Sequence, residues 1–490
     1  MKTSPAFFLL SAILVSILAA LPNLAAHAQL QDNRWSPPFR LSSLNRSAGE
    51  ATLLSDPYGY VHAFWIEDGA PDYRQTIQHA RFDGMSWTAP NDMYVSFPSV
   101  PIGGISADLG ENNTIYFMWT DGPDGPAYLT TAPAHDAMAA WNWTRPVRLP
   151  IPAARINIRV DSQGVLHLMY TVTTGREPGL HYTFSEDDGL NWSDPKWLDP
   201  DIPLRQSPQV FQFEIDDQDG LHILWYYIDL QAAGGIGSWI RYTHSLDGGK
   251  SWSAPFTIDK ADEDPRELRL PYPGMIVAGQ SVHVIWAGNS FTTREHRYSN
   301  DRGVTWSTTN RVFGDLSGQA LGDGMAVDGL GRVHFTGQIR YPHGVHYAIW
   351  DGKQWSATEL VYLIARDAFD EIGARIHAHN VRLAVRAGNQ LVLTITDSPS
   401  TPNLGLYVLM RTLDDLPADQ ILATPTPTPI QSPTPVATPP SPTPTPRNEL
   451  DTGPVADLDS YTPTAYLFWA VLPTILVILG IAFYNFVRKP

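Results

Sequence analysis

The stretch Ser185-Glu-Asp187-Asp-Gly189-Leu-Asn-Trp192-Ser-Asp-Pro195 decides the fold, because the chain repeats it. It returns as Ser245-Leu-Asp247-Gly-Gly249-Lys-Ser-Trp252-Ser-Ala-Pro255 and as Ser299-Asn-Asp301-Arg-Gly303-Val-Thr-Trp306-Ser. Shortened copies read Phe82-Asp83-Gly84-Met-Ser-Trp87-Thr-Ala-Pro90 and Trp350-Asp351-Gly352-Lys-Gln-Trp355-Ser. The pattern is Ser-x-Asp-x-Gly-x-x-Trp. Asp accepts backbone N–H bonds inside a tight turn, Gly takes a positive φ at no steric cost, and Trp covers the hairpin with a large apolar face.

Working outward from the first copy, Ile156 to Val160 alternates as a strand and Asp161-Ser-Gln-Gly164 reads as a turn. Val165 to Tyr170 is a second strand, Thr171 to Gly179 a loop, and Leu180 to Phe184 a third strand. The repeated turn follows, and Trp192 opens a fourth strand. Four short antiparallel strands joined by turns make one propeller blade. The unit is traced again through Asp56–Trp87, Asp108–Trp143, Asp217–Trp252, Gly279–Trp306 and Asp328–Trp355, the copy at Trp143 lacking the Asp turn. A seventh set, from Val381 through Gly388 and Leu391 to Tyr407, has no Trp-Ser ending; Trp35-Ser36-Pro37-Pro38 at the other end of the chain supplies it. The expected fold is all-β: a seven-bladed β-propeller, alternatively six-bladed, of four-stranded antiparallel blades between Arg34 and about Leu413, closed by an N-terminal strand.

The repeat resembles the Asp-box, or BNR, repeat of the sialidase superfamily. The resemblance implies that Ser185, Asp187, Gly189 and Trp192, with Ser245, Asp247, Gly249, Trp252, Ser299, Asp301, Gly303 and Trp306, are structural and lie away from an active site. Sialidases have six blades, bind the sialate carboxylate with three arginines, and use a Tyr–Glu nucleophile pair and an Asp acid/base. Their first arginine lies in an Arg-Ile-Pro element on the first innermost strand. Here Gly49-Glu-Ala-Thr-Leu53 carries no arginine, Arg40 is displaced, and the nearest imitation, Arg155-Ile156-Asn157, falls in the third blade. The scaffold transfers; the catalytic set does not transfer cleanly, and a shared fold does not fix function.

The 490 residues divide further. Residues 1–28 read as a signal peptide, with Lys2, an apolar run from Phe7 to Leu21, and Ala26-His27-Ala28 before Gln29. Residues 29–422 form the body and 423–464 a Pro/Thr-rich stalk, whose Thr-Pro run from Thr424 to Pro446 prefers polyproline II. At ~3.1 Å per residue that run reaches up to ~70 Å. Residues 465–487 carry no charged side chain and suit a transmembrane helix across a bilayer core of ~30 Å. Arg488-Lys489 begins a cytoplasmic tail at 488–490, which places the body outside a cell, on its membrane. Asn45, Asn112, Asn142 and Asn191 lie in glycosylation sequons. There is no cysteine, hence no disulfide or thiolate metal site. A net charge of −17 argues against a nucleic-acid partner.

Candidate chemistry lies on the connections from second to third strand and from blade to blade. They carry Glu67, Asp68, Asp72, Tyr73, Arg74, Arg176, Glu177, Tyr226, Tyr227, Asp229, Arg294, Glu295, Arg340, Tyr341 and His343. Arg155, Arg205, Arg269 and Arg375 recur just before innermost strands, towards the channel mouth, where planar guanidinium forks suit a carboxylate unless each pairs with a neighbouring acid. The weak catalytic candidates are Arg155, Arg205, Arg269, Arg375, Arg340, Tyr341 and Asp68. His62, His167, His222, His283 and His334 occupy one place on successive blades, so they cannot converge within ~2 Å of one ion and should pack or hydrogen-bond instead. His377 and His379 lack a third ligand, Asp217-Gln-Asp219-Gly220 matches an ordinary turn, and Asp262-Glu-Asp264 a solvated loop. No metal or cofactor is expected. The expected function is a cell-surface, membrane-anchored module presenting its loop face to an extracellular glycan or surface protein. The alternatives are a sialidase-like exo-glycoside hydrolase on extracellular glycans, and a purely structural role in a surface assembly.

Overall fold

The computed structural model describes residues 34–69, 74–175, 177–200, 206–229, 236–260, 273–288, 293–314, 316, 323–340, 343–364, 379–397 and 403–425. Residues 1–28, read above as a signal peptide, residues 465–487, read as a transmembrane helix, and all but the first residues of the expected stalk lie outside these. Among the described residues no helix is long and apolar enough to cross a membrane.

Twenty-eight strands, numbered in chain order, form seven four-stranded antiparallel sheets. The innermost strands are β2 (Ala48–Ser55), β6 (Ile102–Leu109), β10 (Arg155–Val160), β14 (Gln206–Ile215), β18 (Gly274–Ala278), β22 (Asp323–Val327) and β26 (His379–Arg386). Each packs against the next, and β26 packs against β2, so the ring is closed around a central channel. The protein is a seven-bladed β-propeller. Blades 1 to 6 are each a simple meander, starting at β2, β6, β10, β14, β18 and β22.

Blade 7 is built from both ends of the body. β26, β27 (Gln390–Asp397) and β28 (Gly405–Thr412) supply three strands, and β1 (Phe39–Arg40) pairs with β28 as the fourth. Ser36 completes the seam: its N–H donates to Met410 O at 2.7 Å and its Oγ accepts from Met410 N at 2.9 Å. The Ser or Thr after each repeated Trp makes the same contact, as Ser193 does with Phe184 N at 3.1 Å, Ser253 with His244 N at 3.1 Å and Thr88 with Arg81 N at 3.0 Å. Trp35-Ser36 is therefore the displaced ending of blade 7.

The repeated turns are built as their residue types dictate. Ser185 Oγ donates to Asp187 Oδ1 at 2.9 Å and accepts from Gly189 N at 2.9 Å, while Asp187 Oδ1 accepts from Asn191 N at 2.8 Å. The copies at Ser245 and Ser299 repeat this network. Gly249 and Gly303 sit at φ of 84° and 85°, and a Cβ on either would run into the Tyr182 or Tyr242 ring of the preceding blade. The glycine thus serves both turn and blade interface. Two sequence alignments need correction. The fourth strand of blade 3 begins at Lys196 rather than Trp192, because Trp192 is spent on covering the turn. The first-turn position held by Asp161 is held by Gly110 in blade 2 and Asp216 in blade 4, not by Asp108 and Asp217.

The core lies between blades. Trp65, Trp225 and Trp286, each on a second strand, are fully buried, and burial of an aromatic side chain of that size contributes about 3 kcal/mol.

Candidate functional site

In an antiparallel meander the starts of first and third strands share one end with the ends of second and fourth strands. That loop end carries Asp68, Arg155, Arg340, Arg294 and Asp323. The structure places the candidates Asp68, Arg155 and Arg340 on blades 1, 3 and 6 respectively. Asp68 is exposed and accepts from Gln75 Nε2 at 2.7 Å. Arg155 is exposed at the first position of β10, and Arg340 ends β23 (Val333–Arg340). Arg205, Arg269, Arg375, Tyr341, His377 and the 262–264 acidic loop lie outside the described residues. Glu67 is buried and structural: it accepts from Ser43 N, Ser43 Oγ and Trp65 Nε1 at 3.0, 2.6 and 3.0 Å.

The strongest described grouping of charge lies on the innermost strands. In β10, Ile156 and Ile158 are buried, so the alternation turns Asn157 and Arg159 to the opposite face. Arg159 forks onto Glu214 of β14, with Nη2 to Oε1 at 2.9 Å and Nε to Oε2 at 3.3 Å. Its Nη1 donates to Asn157 Oδ1 at 2.8 Å and to Ile158 O at 2.9 Å. Asp108 of β6 accepts from Val160 N at 2.8 Å. Burial pushes its carboxyl up to about 6, against the pull of Arg159. Across the ring, Arg382 of β26 donates to Asp323 O at 3.0 Å, and burial draws its guanidinium down to about 10.

Between blades 5 and 6, Arg294 is 1% exposed and its Nε donates to Asp323 Oδ1 at 3.0 Å. Nη1 and Nη2 are buried with no acceptor among the described residues. Burial raises the Asp323 carboxyl, and the Arg294 charge opposes the shift. Sequence reasoning named Arg294 but missed Asp108, Arg159, Glu214, Asp323 and Arg382. The signal was present in β10, where Arg and Asn alternate with Ile.

The five histidines are buried and spread around the ring. In blades 3, 4 and 6 they form one repeated relay. Nε2 of His167, His222 and His334 meets Asp161, Asp216 and Asp328 at 3.1, 3.0 and 2.9 Å. Nδ1 meets the hydroxyl of Tyr182, Tyr242 and Tyr347 at 2.8, 2.6 and 2.6 Å. The acids also cap their own turns, as Asp216 does by accepting from Gln218 N and Gly220 N. Desolvation opposes the charge on Asp216, yet His222, Arg302 and these two amides hold its carboxyl well below the usual range. Each tyrosine then packs edge-on against the Trp of the next blade: Tyr182 on Trp252, Tyr242 on Trp306, and Tyr347 on Trp35 across the seam. The histidines are thus blade clamps, and among the described residues no group of three or more His, Asp or Glu side chains is placed to hold a metal.

No protein-family model and no curated protein matches the sequence. Solved structures do. A protein of unknown function from Dyadobacter fermentans is similar at 14% identity, over 78% of this chain and 100% of that one, with a TM-score of 0.46. A Hadza microbial sialidase matches at 14% identity, over 74% of this chain and 65% of that one, with a TM-score of 0.37. A Penicillium chrysogenum alpha-L-arabinanase, complexed with arabinobiose, matches at 12% identity, over 64% and 94% of the two chains, with a TM-score of 0.39.

Proposed function

We propose that this chain is a surface-displayed binding propeller, held to its own membrane by residues 465–487 and lifted by the stalk, that presents its loop end to an extracellular glycan. One observation carries the choice of binding over hydrolysis of an acidic sugar: Arg159, at the centre of the inner-strand charge group, is already committed to an acid of the protein. Arg159 forks onto Glu214, and Arg294 donates to Asp323 through Nε alone. A guanidinium paired in that way is not available to a substrate carboxylate without breaking a charge-assisted bond. Polar, half-buried inner strands beside exposed loop-end groups such as Asp68 and Arg155 suit sugar hydroxyls, which need mixed donors and acceptors.

The test is a glycan array probed with the full-length protein, run beside fluorogenic sialosides and a panel of other glycosides. Binding to a defined neutral or acidic glycan without turnover, weakened in Arg155→Ala, supports the proposal. Turnover of a sialoside would overturn it in favour of a sialidase-like hydrolase. Neither binding nor turnover by folded protein would leave the structural role.

A further inference from the structure

The clamp histidine has a different partner in two blades, and the two differ from each other. In blades 1 and 5 the tyrosine of the relay is replaced by a second histidine, His79 and His296. His283 Nδ1 meets His296 Nε2 at 3.1 Å, and His296 Nδ1 accepts from the indole Nε1 of Trp355, in the next blade, at 3.1 Å. That interface is complete: the last ring nitrogen is met by an indole N–H.

Blade 1 builds the same pair. Asp56 Oδ2 meets His62 Nε2 at 3.2 Å, and His62 Nδ1 meets His79 Nε2 at 3.0 Å. The carboxylate end fixes the tautomers. Asp56 accepts, so His62 donates through Nε2 and accepts through Nδ1; His79 then donates through Nε2 and keeps a lone pair on Nδ1. Burial lowers both histidines, His79 well below its usual range, so both rings are neutral. Among the described residues nothing donates to His79 Nδ1.

The missing donor has been turned aside. Trp143 stands edge-on to His79, as Trp355 does to His296. Blade 2 replaces the Asp turn with two short 3-10 helices, Ala134–Asp136 and Ala140–Asn142. Trp143 Nε1 donates to Ala137 O of this insert at 2.7 Å instead. Asn91 Nδ2 to Met138 O at 3.0 Å and Arg81 Nη1 to His135 O at 2.7 Å fasten the insert to blade 1. A cavity of about 270 Å³ is left, lined by His79, Tyr94, Phe117, Trp119, Met138 and Trp143. Exposed Asn91 and Arg145 also line it, so it opens to solvent. It is slightly smaller than the pockets of drug-sized ligands, which run ~300–1,000 Å³, and suits one or two fused rings.

We propose that this cavity between blades 1 and 2 is a binding site for a small aromatic ligand bearing a ring N–H, which donates to Nδ1 of His79 while its rings stack among the cavity's aromatic side chains. The protein itself supplies the template, in the indole that completes the equivalent nitrogen of His296. The site is separate from the loop end and does not depend on the glycan reading.

The experiment is isothermal titration of the full-length protein with indole, against 1-methylindole and benzofuran, which keep the ring system but lack the N–H. We expect indole to bind at least ten-fold more tightly than either, with binding lost in His79→Phe and kept in His296→Phe. Equal affinity for the three ligands, no binding of indole up to its solubility, or unchanged binding in folded His79→Phe would each overturn the proposal. Should His79→Phe fail to fold, the ligand series on the unaltered protein decides.

Discussion

At the interface of blades 5 and 6 the Trp355 indole donates to His296, whereas at the interface of blades 1 and 2 the equivalent Trp143 donates to Ala137 and His79 faces a cavity. The two interfaces share strand order, a histidine pair and a Trp at the same place. They differ in the chain just before that Trp: a tight Asp351-Gly352 turn in blade 6 and the Ala134–Asn142 insert in blade 2. A propeller blade is therefore not only a repeat. The turn that precedes its Trp sets whether the seam with its neighbour is sealed or open.

The largest expected effect tests what sealing requires. Gly249→Ala forces a Cβ into Tyr182 at a positive φ and should cost about 3 kcal/mol, read as a fall in Tm. Gly352→Ala, also at a positive φ but with open space around it, should cost only about 1 kcal/mol. Equal losses would mean that the turn alone, not the interface, demands glycine. Next, Trp355→Phe should strand the buried His296 nitrogen and cost about 2 kcal/mol. Trp143→Phe, losing a bond to the insert, should cost less and loosen residues 134–142, seen as faster hydrogen exchange there.

Acid behaviour sharpens the comparison at a third interface. Arg302, from the Asp turn of blade 5, reaches Asp216 of blade 4. The Asp216 carboxyl is depressed in the folded state, so its contribution is present above the ordinary Asp pKa of about 4 and is lost as pH falls below it. Arg302→Met should lower stability at pH 7 by about 1 kcal/mol and flatten the loss on acidification, measured by urea unfolding from pH 7 to 3. A further effect is opposite in sign. Asp108 is raised to about 6, so the folded state holds the extra proton, and stability falls as pH rises from about 4 to 6. Asp108→Asn should remove that slope in the same measurement.

Much of the ring was legible. The Asp–Gly–Trp turns marked each blade end, and an orphan Trp35-Ser36 against a last blade without an ending told how the ring closes, because a propeller leaves no blade one strand short. The alignment slipped at Asp217 because the neighbouring acid, Asp216, is the one that caps the turn, and at Asp108 because blade 2 holds a glycine, Gly110, at that position. The inner-ring charges were half legible: the Ile–Asn–Ile–Arg alternation of β10 announces a two-faced strand, but pairing with Glu214 depends on how blade 4 sits beside blade 3. The cavity was not legible. It follows from the direction of one indole, set by a carbonyl six residues upstream.

The most direct test of the open-versus-sealed account is nitrogen-15 NMR of the full-length protein labelled at histidine, with His79 and His296 assigned by single substitution. The account predicts neutral rings for both, each protonated on Nε2, with a hydrogen-bonded Nδ1 in His296 and a bare Nδ1 in His79 that moves when indole is added. A proton on Nδ1 of His79, or an Nδ1 signal as shielded as that of His296 before any ligand is present, would contradict it.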